Sequence, residues 1–136
     1  MDQLFGIKFA KYTFLIAGVY GLLVLVPQYF VELGLGTDSP PVIAQPGFYY
    51  GFLGVAVAFQ FVFLIIATDP LRYRLMILPS IVEKASFAIA TALLFSSGRI
   101  PTSLFLGGMI DALLGVFFVI SYLKLRRHSD AEGQTS

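Results

Sequence analysis

The chain contains no cysteine. That excludes disulfides, thiol redox chemistry, iron–sulfur clusters and thiol-oxidase activity, which needs paired cysteines. Histidine is almost as scarce. The single one, His128, lies in a polar C-terminal stretch, which speaks against a buried histidine-ligated haem and against a zinc site. No metal or cofactor is therefore expected. Charge is also thin: 12% of residues are charged, against about 25% in a typical soluble domain. With 57% hydrophobic residues and a mean hydropathy of +0.84, the chain has too little polar surface to coat a soluble globule. Neither a phosphate-binding glycine loop nor a Ser-His-Asp set is present, and nothing supports nucleic-acid binding.

What is present is a series of long apolar runs. A bilayer core of about 30 Å takes about 20 residues of helix at 1.5 Å each. Four stretches qualify, at about 12–30, 48–68, 75–97 and 101–122. The second carries no charge and stops at Asp69-Pro70. The fourth begins after Pro101, a residue favoured in the first helical turn. These runs are twice the length of a barrel strand and do not alternate in polarity. The expected fold is an all-α integral membrane four-helix bundle, antiparallel up-down-up-down, over residues 1–128, followed by a loose polar cytoplasmic tail at 129–136. The first run has the basic start and apolar middle of a secretory leader, but Val31-Glu32-Leu33-Gly34-Leu35-Gly36 is a poor cleavage site, so it is read as a span.

Basic residues orient the bundle. With the N-terminus inside, Lys8, Lys11, Arg72, Arg74, Lys124, Arg126 and Arg127 face the cytoplasm and only Arg99 faces outward. Both termini are thus expected on the cytoplasmic side of the membrane. The longest connection, Val31 to Gly47, contains Pro40, Pro41, Pro46, Gly34 and Gly36. It reads as a plain outer loop or, more sharply, as a lid over a site opening outward. Tyr49 and Tyr50 fall where aromatic belts form. The short Asp69–Arg74 turn makes the second and third spans antiparallel neighbours, with Asp69 capping the third helix or pairing with Arg72 or Arg74. Pro27 and Pro79 are candidate kinks.

Small residues that let membrane helices approach closely recur at four-residue spacing: Ala17/Gly21, Gly47/Gly51, Gly54/Ala58 and Gly108/Ala112. Gly107, Asp111 and Gly115 share one face of the fourth span. Three charges fall at membrane depth, Glu83, Lys84 and Asp111, and such charges need an explanation. Gln60 is their uncharged companion. At 1.5 Å per residue all four lie about 12–16 Å from the cytoplasmic ends of their spans, so three helices place them in one layer. Lys84 and Asp111 are the natural ion pair. Glu83, about 100° from Lys84 around the same helix, is expected to turn to Gln60, Ser80, Ser86 or Tyr20. The plain interpretation of the layer is a polar staple that fixes helix register. The sharper ones are a ligand pocket and a proton-coupled path. The run Lys124-Leu125-Arg126-Arg127-His128 reads as a topology anchor that meets anionic lipid.

Two segments, Ala67-Thr68-Asp69-Pro70-Leu71-Arg72-Tyr73-Arg74 continuing to Leu78-Pro79-Ser80-Ile81-Val82-Glu83-Lys84, and Ile110 to Phe118, together with the four-span plan, resemble small bacterial membrane proteins of the broadly DoxX-like kind. The resemblance implies a compact four-helix bundle in a bacterial inner membrane and carries no catalytic residue with it. The expected function is an accessory subunit or a small hydrophobic-ligand binder with a mid-membrane polar layer. The alternatives are a membrane-embedded enzyme that acts on a lipid or isoprenoid by acid/base chemistry, and a small proton-coupled transporter. The expected partners are membrane lipids and either a second copy of the chain or a larger membrane complex.

Overall fold

The computed structural model describes residues 2–34 and 42–135. The expected outer loop is therefore seen only at its two ends; Gly36, Pro40, Pro41 and the lid suggested for them lie outside the described residues. Four α-helices make up the fold: α1 (Asp2–Leu25), α2 (Pro46–Thr68), α3 (Ile77–Ser96) and α4 (Thr102–Gly133). A 3₁₀ segment, Val26–Leu33, continues α1, and a short one, Arg74–Met76, leads into α3. All four helices, with these extensions, are long and apolar enough to cross a membrane. Large apolar side chains stay exposed on their outward faces, among them Ile16 and Leu23, Val55 and Phe61, Val82 and Leu93, Leu106 and Leu113. That is the pattern of a bundle whose outside meets lipid.

The ends differ from the sequence expectations for identifiable reasons. Pro27 has no N–H to donate to the previous turn, and the backbone tightens from α to 3₁₀ just before it. The side chain of Gln28 donates to the Val24 carbonyl at 3.1 Å, and Gly34, at φ 66°, closes the segment with its N–H on the Val31 carbonyl. Pro79 sits in the first turn of α3, where its missing N–H removes no helical bond. At the far end of α3, Gly98 (φ 71°) donates to Phe95 and Arg99 to Leu94, a left-handed stop before Pro101 starts α4. Asp69 caps neither α3 nor an arginine side chain. Its carboxylate accepts from the Arg72 N–H and its carbonyl from the Tyr73 N–H, so it shapes the turn from within. Residues 129–133, expected as a loose tail, are helical. There α4 carries the spaced pairs Arg126–Asp130 and His128–Glu132, at 3.9 and 3.7 Å, which favour helix in water.

Packing divides the bundle into two halves. Around Phe14, Phe63 and Phe118, whose rings lie 4.2–6.0 Å apart, gather Ala10, Ala17, Ile66, Ala67, Ile77 and Leu125, all buried. This cluster fills the half that holds the start of α1 and the end of α4. Helix α1 packs on α2 and α4, and α3 packs on α4. By contrast α2 and α3, antiparallel as expected, meet only sparsely; the stacked rings of Phe52 and Phe87 are one contact between them.

Candidate functional site

The other half of the bundle is hollow. A cavity of about 470 Å³ lies between the four helices. Gln60 on α2, Glu83 and Lys84 on α3 and Asp111 on α4, the four residues singled out by their depth, all line it. They form its floor, next to the packed aromatic cluster. The walls rise along each helix away from the termini: Tyr20, Gly21 and Val24 on α1; Ala56, Phe52 and Tyr49 on α2; Phe87 on α3; Gly107 and Leu104 on α4. From Gln60 to Tyr49 is eleven residues, or about 16 Å of helix. The cavity therefore climbs toward the end bearing the α1–α2 and α3–α4 connections.

At the floor, Lys84 Nζ lies 3.1 Å from Asp111 Oδ1, which ties α3 to α4 as expected. It also lies 3.6 Å from Glu83 Oε2. Glu83 and Asp111 thus share one cation. The expectation that Glu83 turns away from Lys84 fails, because the ends of two long side chains meet although their starts diverge around the helix. None of the companions foreseen for the Glu83 carboxylate takes that role: the Ser80 hydroxyl donates to the Met76 carbonyl and that of Ser86 to the backbone carbonyl of Glu83. The ring of Phe63, 5.2 Å from Lys84 Nζ, covers the ammonium from the packed half as a cation–π partner. Lys84 is only 4% exposed, so the cation is held by the protein and not by solvent.

Gln60 is equally deep, at 1% exposure. Its amide nitrogen donates to the Ala56 carbonyl at 2.8 Å, while its Oε1, buried, has no hydrogen-bond partner among the described residues. That oxygen lies against Gly21, where a β-carbon would come within 1.8 Å of it. Gly21 is thus the small residue that admits Gln60, and Gly18 beside it admits Leu64. Gly108 likewise makes room for Thr91, whose hydroxyl would lie 1.8 Å from an added β-carbon, and Gly115 lies close to the Lys84 stem. Gly47 and Gly51 face open space, as does Gly107, which borders the cavity, while at Gly54 a β-carbon would meet only the Tyr29 hydroxyl, at 3.7 Å.

Sequence reasoning found the floor and missed the walls. Counting in helical steps from the floor would have reached several of them: Ala56, Phe52 and Tyr49 follow Gln60 on one face, Phe87 follows Glu83 and Lys84, and Gly107 and Leu104 follow Asp111. On the α1 side, Tyr20, already named as a companion for Glu83, lines the cavity, whereas Val24 on α1 and Gln28 on the 3₁₀ segment carry no signal in the sequence. At the mouth, the Tyr49 hydroxyl donates to the Gln28 carbonyl and that of Tyr50 to the Glu32 carboxylate. These bonds, with the stacked Tyr29 and Tyr50 rings, fasten the 3₁₀ segment to the start of α2.

Chemically, the floor offers two carboxylates and one ammonium beneath apolar and aromatic walls. Among the described residues no group of three His, Cys, Asp or Glu side chains is placed to hold a metal ion. A scan against protein-family models, a search of curated proteins and a search of solved structures return no match to this chain.

Proposed function

We propose that this chain is a multi-pass protein of a bacterial inner membrane, with both termini cytoplasmic and kin to the DoxX-like proteins, that binds a small, largely apolar molecule inside its bundle. The observation that carries the reading is the cavity of about 470 Å³ between all four helices. It falls within the size range of small-molecule sites and shares their pattern of apolar walls and a few convergent polar groups. A polar staple alone needs the Lys84–Asp111 contact but no hollow beside it. The seven basic residues at the end with the termini support the orientation.

The test is a structure in lipid nanodiscs with the co-purified small molecules retained. Non-protein density above Lys84, lost in Gly107→Phe, is the expected result. A cavity collapsed around the ion pair, with no density, would leave only the staple. The second reading is a lipid-directed enzyme, favoured by Glu83 Oε2, a buried carboxylate oxygen with no hydrogen-bond donor among the described residues, as an intramembrane proton carrier. It requires that the retained molecule be converted by the wild type and not by Glu83→Gln.

A further inference from the structure

Two buried acceptors at the floor of the cavity have no hydrogen-bond partner among the described residues. The Lys84 ammonium is taken up by Asp111, Glu83 and the Phe63 ring. One N–H of the Gln60 amide donates to the Ala56 carbonyl at 2.8 Å. Because that carbonyl can only accept, it fixes which end of the Gln60 amide is nitrogen. The buried hydroxyls nearby, Ser80 and Thr91, donate to carbonyls of their own helix. Among the described residues Gln60 Oε1 and Glu83 Oε2, both buried acceptors, have no hydrogen-bond partner; the latter has Lys84 Nζ at ion-pair distance, 3.6 Å, but beyond hydrogen-bond reach. Unpaired polar atoms in such a setting are destabilising until a donor reaches them. The layer also counts two carboxylates against one ammonium, a formal surplus of one negative charge.

These features rank ligand heads. A carboxylate, an ester or a quinone brings only acceptors and leaves Gln60 Oε1 and Glu83 Oε2 without a donor, and an anion meets the surplus negative charge at low dielectric. A protonated amine brings N–H donors and the missing positive charge together. Phe52 and Phe87, stacked 5.8 Å apart and both on the cavity wall, add aromatic faces that attract a cation and an apolar slot for the rest of the molecule. We propose that the cavity selects amphiphilic amines, with the nitrogen beside Glu83 and the apolar body along Phe52 and Phe87. This rests on the reading of the cavity as a ligand site and goes further by naming the ligand's chemistry.

The experiment uses three probes of equal chain length, octylamine, octanol and octanoate, with the intact protein released from nanodiscs into native mass spectrometry. The wild type is expected to retain one octylamine, with at least tenfold lower retention of octanoate. Glu83→Gln is expected to lower octylamine retention at least tenfold and to leave octanol unchanged. Octanoate retained as well as octylamine by the wild type overturns the proposal without recourse to any variant, as does undiminished octylamine on Glu83→Gln. If all three probes are retained equally and all are lost in Gly107→Phe, the amine preference fails while the ligand cavity stands. If none is retained, both fail.

Discussion

Lys84 holds the charged layer together, because it is the one cation between Glu83 and Asp111. Lys84→Met would leave two largely buried carboxylates facing each other, and removal of one partner from a buried pair is destabilising by about 3–5 kcal/mol. The triple variant that adds Asp111→Leu and Glu83→Gln should recover much of that loss, since uncharged residues of similar volume often replace a buried ion pair or triad without penalty. Equilibrium unfolding in mixed micelles reads both. The glycines give a second contrast. Gly21→Ala drives a methyl into Gln60 and should be destabilising by about 1–3 kcal/mol, whereas Gly107→Ala meets nothing within 4 Å and should be neutral or stabilising by up to about 1 kcal/mol. From sequence alone the two look alike, since a small residue's spacing does not say what stands opposite it. The buried charges were legible because ionisable residues are rare in apolar helices. The shared use of Lys84 was not, since helical angles place the starts of side chains and not their ends.

At the level of the element, the spans themselves were legible to within a few residues where a breaker stood at the boundary. Thr68 ends α2 as read, at Asp69-Pro70, and α4 begins directly after Pro101. Where no breaker stood, the reading fell short. Helix α1 begins ten residues earlier than the apolar run, because amphipathic turns such as the one bearing Lys8 and Lys11 still pack one face, through Ala10, against the core. The end of α4 shows the same effect, with Leu125 fully buried beyond the last apolar span residue. Leu125→Ala should therefore be destabilising by about 2–4 kcal/mol, while deletion of residues 129–136 should leave the unfolding midpoint unchanged in the same assay. At the α3–α4 corner, Gly98→Ala adds no steric contact but forces an alanine into the left-handed region, a loss of about 1–2 kcal/mol that Gly98→Asn should reduce.

For the molecule as a whole, the absence of cysteine makes the topology directly measurable. Single cysteines placed at Thr135 and at Gln45 should behave oppositely toward a membrane-impermeant thiol reagent added to intact cells: Gln45→Cys is labelled and Thr135→Cys is protected until the cells are opened. The reverse pattern would overturn the orientation drawn from the basic residues. The division of the bundle into a packed and a hollow half could not be read from hydropathy, because both halves are equally apolar. It arises from shape, with three phenylalanines interlocking in one half and α2 standing off from α3 in the other.

That division also gives the protein an uneven compressibility. Pressure favours whichever state eliminates internal void volume, and here the void is gathered at one end. Under hydrostatic pressure the turns carrying Phe52, Ala56 and Gly107 should yield first, seen as amide exchange that accelerates there while the amides near Phe63 and Phe118 remain protected. A filling molecule would remove the difference, so the volume change on loading becomes a report on occupancy that needs no label and no knowledge of the occupant.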